Sequence, residues 1–147
     1  MPICIRPSRP RDGARVVEIW RDAVYATHAF LTPEDRAAIE AEVKEFLPQA
    51  PLWIAETDRG QAVGFMLLDG AHMEALFIDP AYRGAGIGRA LVEHALTLHP
   101  ALTTDVNEQN GQAVGFYQRL GFIPAGRSAT DGQGRPYPLI HLRFAGR

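Results

Sequence analysis

Residues 78–91 read Ile-Asp-Pro-Ala-Tyr-Arg-Gly-Ala-Gly-Ile-Gly-Arg-Ala-Leu, and this stretch decides the fold. A strand-like run stops at Pro80, glycines follow at alternate positions (Gly84, Gly86, Gly88), and a helical pattern begins at once. Glycine lets a backbone turn tightly and bring its N–H groups close to a ligand. A helix start adds donors without intrahelical acceptors and the positive end of the dipole. Together these make an anion site whose usual occupant is a phosphate or pyrophosphate. A glycine-rich turn that merely caps a helix accounts for the same residues.

Two phosphate loops are excluded by the residues themselves. The Walker type needs Gly-Lys-Ser/Thr, and here Gly88 is followed by Arg89-Ala90. The dinucleotide fingerprint needs G-x-G-x-x-G or -A, but that frame ends on Arg89 from Gly84 and on Leu91 from Gly86. It also belongs on the first strand of a βαβ unit, whereas this loop lies mid-chain. Arg83, Gly86 and Gly88 instead form Arg-x-x-Gly-x-Gly, which resembles the acyl-CoA loop of the GNAT superfamily of N-acetyltransferases. A second segment, 107–122, resembles the same superfamily's N-x-x-A-x-x-x-Y-x-x-x-G-F through Asn110, Ala113, Tyr117, Gly121 and Phe122. Its spacing has a physical reading. Asn110 is a good N-cap, and Asn110, Ala113, Val114 and Tyr117 share one helical face. Gly121 suits the position that ends a helix, and Phe122 starts a strand. Taken alone, Tyr117 reads as an amphipathic core tyrosine with its hydroxyl satisfied.

Working outward, Ile3–Arg6 is a short strand, and Val16, Val17, Trp20, Ala23 and Val24 form a helical stripe. Thr32-Pro33-Glu34-Asp35 starts a second helix, with Ile39, Val43, Phe46 and Leu47 facing one way until Pro48 and Pro51 end it. Strands follow at 52–56, 62–68 and 72–78, then the glycine loop and a helix that stops at His99-Pro100. After a strand at 102–106 and the Asn110–Leu120 helix, strands 122–128 and 137–144 close the chain as a hairpin. The order β-α-α-β-β-β-α-β-α-β-β resembles the whole GNAT domain. Short stretches such as Ala26-Thr27-His28 and Leu102–Asn110 resemble a narrower bacterial group within it. The expected class is α/β (α+β), one domain over 1–147. It would have a mixed, mostly antiparallel central sheet of six to seven strands, four flanking helices and a splayed strand pair at the acyl-CoA site.

Composition agrees with a globular chain: 147 residues, 46% hydrophobic and 22% charged. No apolar run reaches membrane-spanning length, so no membrane is expected. The single Cys4 excludes an internal disulfide framework, suits a reducing cytoplasm, and sits among apolar residues as a small core hydrophobe. A net charge of −2 gives no general attraction to nucleic acid. The basic residues are fourteen arginines and one lysine, Lys44.

The resemblance implies a cosubstrate, acetyl-CoA, and no metal. It places the pantetheine arm against the backbone of Leu76, Phe77 and Ile78. The pyrophosphate falls on the amides of Gly84, Ala85, Gly86, Ile87, Gly88 and Arg89, with charge from Arg83 and Arg89. Asn107 would reach the pantetheine or cap the helix, and Asn110 and Tyr117 complete the cofactor set. The implied reaction is direct acetyl transfer from thioester to amine. A backbone N–H near Leu76 would polarise the carbonyl, and Tyr117 would stabilise the leaving thiolate. A thiol has a pKa of roughly 8.5 and tyrosine about 10, so full proton transfer is uphill by about 2 kcal/mol. A neutral amine is also needed. His72 and Glu74 share a strand face. The histone-type base position, eleven residues before the loop arginine, is His72 here where that branch has glutamate. The acceptor is a primary amine of a small molecule or a protein, and the assembly a monomer or homodimer. Tyr25, His28 and Phe30 would lie on the connection that lines the acceptor pocket in relatives, with packing as the equal alternative. His94 reads as a half-buried histidine on an apolar helix face, and the mid-helix Gly115 suggests a close neighbour. Two rival readings remain: a non-catalytic acyl-CoA sensor, and a toxin-type acetyltransferase acting on aminoacyl-tRNA.

Overall fold

The computed structural model describes residues 2–146. Its strands are β1 (Ile3–Pro7), β2 (Leu52–Thr57), β3 (Ala62–Asp69), β4 (His72–Ile78), β5 (Thr103–Asn107), β6 (Phe122–Ser128) and β7 (Leu139–Phe144). Its helices are α1 (Gly13–Thr27), α2 (Pro33–Phe46), α3 (Ile87–Leu98) and α4 (Gly111–Leu120). The strand order is β1-β2-β3-β4-β5-β7-β6. The chain divides into two compact units, one of Met1–Leu67 with Ala75–His94 and one of Leu68–Glu74 with Ala95–Arg147.

In the first unit β1, β2 and β3 pair antiparallel, with Ile54 opposite Phe65. The α1 stripe Val16, Ile19, Trp20 and Val24 buries itself with Ile54 and Phe65 in one apolar cluster. Thr32 caps α2 by accepting from the Asp35 N–H at 3.1 Å. Two expectations fail here. Cys4 is exposed, because Ile3 and Ile5 on either side take the more buried positions and alternation turns Cys4 outward. Phe46 is 55% exposed, and the buried residue is Leu47, where the chain tightens into a 3₁₀ turn, Leu47–Gln49.

A partly buried ionic pair fixes the entry to α1. Arg6 donates to both Asp12 oxygens at 2.9 Å and to Glu56 at 3.0 Å, and the Arg9 N–H donates to Asp12 at 2.7 Å. The Arg6 bonds hold the Asp12 carboxyl below its ordinary range against the opposing effect of burial. A depressed folded-state pKa stabilises the fold above the unfolded value, and that stability is lost as pH falls through the folded one. Denaturant titrations should therefore show Asp12→Asn less stable by about 2 kcal/mol at neutral pH. The variant should also lose less stability than wild type on acidification. Parallel pH curves would contradict this.

In the second unit β4 starts parallel to β5 (His72 opposite Thr103, Met73 opposite Thr104), and β7 pairs antiparallel with β5 and β6. One sheet face carries Met73, Val106, Phe122 and Leu142, all buried, together with Tyr117 and Leu120 of α4. Rings of Phe116, Tyr117, Phe122 and Phe144 meet edge to face in succession at 5.1–5.5 Å between centroids. Gly121 ends α4 at φ 107°, and a Cβ there would stand 2.5 Å from the Gly146 carbonyl oxygen. The last strand begins at Leu139 where the sequence pattern suggested Tyr137. The Tyr137 N–H closes a turn onto the Arg135 carbonyl, and Pro138 has no N–H to give the ladder.

Candidate active site

The glycine loop leaves β4 at Asp79, which is pinned on three sides. Its N–H donates to the Val63 carbonyl at 2.9 Å, and its Oδ1 accepts from the Ala81 N–H at 2.9 Å. Its Oδ2 accepts from Arg15 at 2.6 Å, and the Arg15 Nε–H also holds the Ala62 carbonyl. A short 3₁₀ turn, Pro80–Tyr82, leads into Gly84 at φ 81° and Gly86 at φ 79°. Only glycine takes these angles without strain. A Cβ at either position would meet nothing within 4 Å, so the space above the backbone is open. Ile87 then plugs the core at 1% exposure and starts α3. The N–H groups of Ile87, Gly88 and Arg89 have no acceptor inside the helix, and the first intrahelical donor is Ala90, bonded to the Gly86 carbonyl at 3.0 Å. An open row of amides at the positive end of a helix fits the diphosphate of coenzyme A. Arg83 is exposed, while Arg89 is tied to Glu93 at 2.7 Å on the helix surface. Leu76, Phe77 and Ile78 are half-buried, with the Phe77 ring 5.7 Å from Phe65.

In the second unit Tyr117 is 7% exposed, and Thr104 is the polar side chain that acts on its hydroxyl. Burial pushes its pKa well above the ordinary tyrosine value. Thr104 donates onward to the Met73 carbonyl at 2.8 Å. His72 has a partner on each ring nitrogen: Nδ1 lies 2.7 Å from the Thr103 hydroxyl and Nε2 3.2 Å from Asp105. Thr103 and Asp105 flank Thr104 on β5 and so point to the opposite face. The partners of Tyr117 and those of His72 therefore stand on opposite sides of the same strand. Glu74 is exposed on the His72 side.

Asn110 is the α4 cap, accepting from the Ala113 N–H at 3.2 Å, and its own N–H donates to the Asn107 carbonyl. That assigns the cap to Asn110 and not to Asn107. Gly115 has no tight backbone neighbour; a Cβ would meet only the flexible end of Arg119 at 3.1 Å. Between α1 and α2, burial lowers the His28 pKa below the usual imidazole value. Its ring lies 5.2 Å from Phe30. Tyr25 is exposed and donates to Glu40 at 3.0 Å. His94 meets Trp53 edge-on at 4.5 Å. Among the described residues no group of histidines, cysteines and carboxylates can hold a metal, and no helix is long and apolar enough to cross a membrane.

Sequence reasoning missed Asp105 and His141. Asp105 Oδ1 lies 2.6 Å from His141 Nδ1, and His141 Nε2 lies 2.6 Å from the Ser128 hydroxyl. These residues come from three strands, and the one available signal was the alternation of polar residues at 103, 105 and 107. The Arg15–Asp79 bond behind the loop left no local signal at all.

A mixed sheet whose fourth strand runs through an open glycine turn into a helix N-terminus defines an acyl-CoA-dependent transferase. A family model described as “Acetyltransferase (GNAT) domain” matches residues 48–124. Peptidyl-lysine N-acetyltransferase YjaB of Salmonella typhimurium is 60% identical over 144 residues, spanning 98% of this chain and 99% of that protein. Its Escherichia coli K12 namesake is 58% identical over 146 residues, 99% of each. The solution structure of apo-form YjaB from Escherichia coli superposes with a TM-score of 0.96 at 57% identity, covering 100% of both chains. The chain belongs to the GNAT family. It is an N-acetyltransferase that moves an acetyl group from acetyl-CoA to an amine.

Proposed function

We propose that the acceptor is the side-chain amine of lysine in a peptide or protein, and that residues 1–147 work as one catalytic domain in the cytoplasm, as a monomer or homodimer. The observation that carries this reading is the near-complete match to two relatives named as peptidyl-lysine N-acetyltransferases. The loop geometry supports it by supplying an anion cradle of the kind the cosubstrate needs.

The residue roles follow from the local chemistry. The amides of Gly84 to Arg89 hold the diphosphate, with Arg83 adding charge from its exposed position. The backbone of Leu76, Phe77 and Ile78 lies along the pantetheine, and a donor near Leu76 polarises the thioester carbonyl. Asn110 and Asn107 shape the start of α4. Tyr117 works as a neutral hydrogen-bond donor toward the developing thiolate, because its raised pKa makes outright proton transfer harder than reference values allow. His72 accepts the amine proton, and Glu74 on the same strand face attracts the cationic acceptor.

The test is acetyl-CoA consumption with lysine peptides, N-terminal amine peptides, spermidine and an aminoglycoside side by side. Lysine peptides should be turned over fastest, with the acetyl group mapped to Nε by mass spectrometry. Turnover confined to the small amines would overturn the assignment. Self-modification does not confuse the reading, because the chain has a single lysine, Lys44.

A further inference from the structure

We infer that Asp105 and His141 are positioning residues for amine deprotonation, forming with His72 a two-imidazole, one-carboxylate unit that takes up one proton. This rests on the amine-acetylation reading above. A line of side chains runs across β4, β5, β7 and β6. Thr103 lies 2.7 Å from His72 Nδ1, and His72 Nε2 lies 3.2 Å from Asp105 Oδ2. Asp105 Oδ1 then lies 2.6 Å from His141 Nδ1, whose Nε2 lies 2.6 Å from Ser128. All three ionisable side chains are about one-third exposed, so the line is open to solvent along its length.

Donor counting settles the tautomers. A carboxylate only accepts, so each imidazole presents its N–H to Asp105: His72 through Nε2 and His141 through Nδ1. The basic lone pairs are then His72 Nδ1 and His141 Nε2, each facing a hydroxyl. When His72 Nδ1 gains a proton it donates to Thr103 Oγ1, whose hydrogen can swing toward the Ala71 carbonyl at 3.5 Å. One proton on either ring leaves the trio neutral, and a second leaves it positive. Uptake of one proton is therefore supported by Asp105, and the two rings compete for that support. The other charged groups on this face are Glu74, the next outward position on β4, and Arg143, opposite Thr103 on β7. Ser128 is the polar contribution of β6.

The acceptor ammonium gives one proton to the Thr103 hydroxyl as that hydroxyl passes its own to His72 Nδ1. The neutral nitrogen forms the N–C bond while the C–S bond breaks with its electron pair going to sulfur. The second proton lost by the nitrogen goes to that thiolate.

Three variants test this against a lysine peptide across pH, with coenzyme A affinity measured by calorimetry. Asp105→Asn should lower kcat on the order of 10–100-fold and move the acid limb of the rate profile to lower pH. Coenzyme A affinity should stay unchanged. His141→Asn keeps an N–H donor at the Nδ1 position toward Asp105 but cannot become charged, so its acid limb should move the opposite way, to higher pH. Asp105→Glu should recover part of the rate. A purely structural role would not shift the two limbs in opposite directions. Nitrogen NMR of the free protein should find the neutral His72 proton on Nε2. Wild-type turnover with an unchanged Asp105→Asn profile, or a His72 proton on Nδ1, overturns this inference alone. Absence of turnover by the wild-type protein overturns the acetylation reading and this role with it.

Discussion

Tyr117→Phe will lower kcat for a lysine peptide on the order of 100-fold while leaving coenzyme A affinity nearly unchanged. The side chain is buried, and the phenyl ring replaces it without altering the edge-to-face contacts to Phe116 and Phe122. Thr104, the polar side chain acting on the hydroxyl that is lost, keeps its own bond to the Met73 carbonyl. The fold should therefore lose only about 1 kcal/mol. A loss of turnover beyond what that small destabilisation explains marks the hydroxyl as the thiolate's donor. The pH dependence carries a second signature. Because the Tyr117 pKa lies above the ordinary value, no basic limb from tyrosine ionisation should appear in the wild-type profile below about pH 10. Full turnover by the phenylalanine variant would return Tyr117 to the role of a core residue. A wild-type chain that binds coenzyme A without turning over any amine would favour the acyl-CoA sensor.

Gly86→Val should weaken coenzyme A binding on the order of 100-fold, the equivalent of about two charge-assisted hydrogen bonds. The residue sits at φ 79°, where an L side chain costs about 1–2 kcal/mol and a β-branched one more. No protein atom lies within 4 Å of the added Cβ, so the protein itself offers no clash. The damage comes from the backbone moving off the left-handed region and from a side chain standing in the open space over the amide row. Gly60 provides a matched control: φ is 77°, its Cβ site is equally open, and it lies in the β2–β3 turn. Gly60→Val should show similar backbone strain in thermal unfolding with coenzyme A affinity intact. Equal losses of affinity in both variants would mean that the loop acts through stability, and the anion cradle would have to be abandoned.

Most of the fold was legible because its signals are short-range. The bounds of β4 and β6 match the strands read from the sequence, and the α1 stripe is the buried one. Asn110 caps α4 and Gly121 ends it in the left-handed region, as their residue types indicate. Gly84 and Gly86 take the positive angles that only a run of glycines makes easy, whereas Gly88 is an ordinary helical residue. The misses have one origin. Cys4 and Phe46 are apolar in sequence but exposed, since burial depends on what covers a residue and not on its own character. Arg89, read as adding charge at the loop, also pairs with Glu93 one helical turn on.

Local sterics, capping chemistry and hydrophobic periodicity therefore determined the element order, the glycine turn and the α4 motif, because each depends on residues a few positions apart. Strand register decided the rest. It set His72 beside Thr103 and Asp105 opposite His141 across 31 to 36 positions of chain, and it put the partners of Tyr117 on the other face of β5. A one-residue slip would turn every one of those side chains to the opposite side, and no local spacing records which register the sheet adopts.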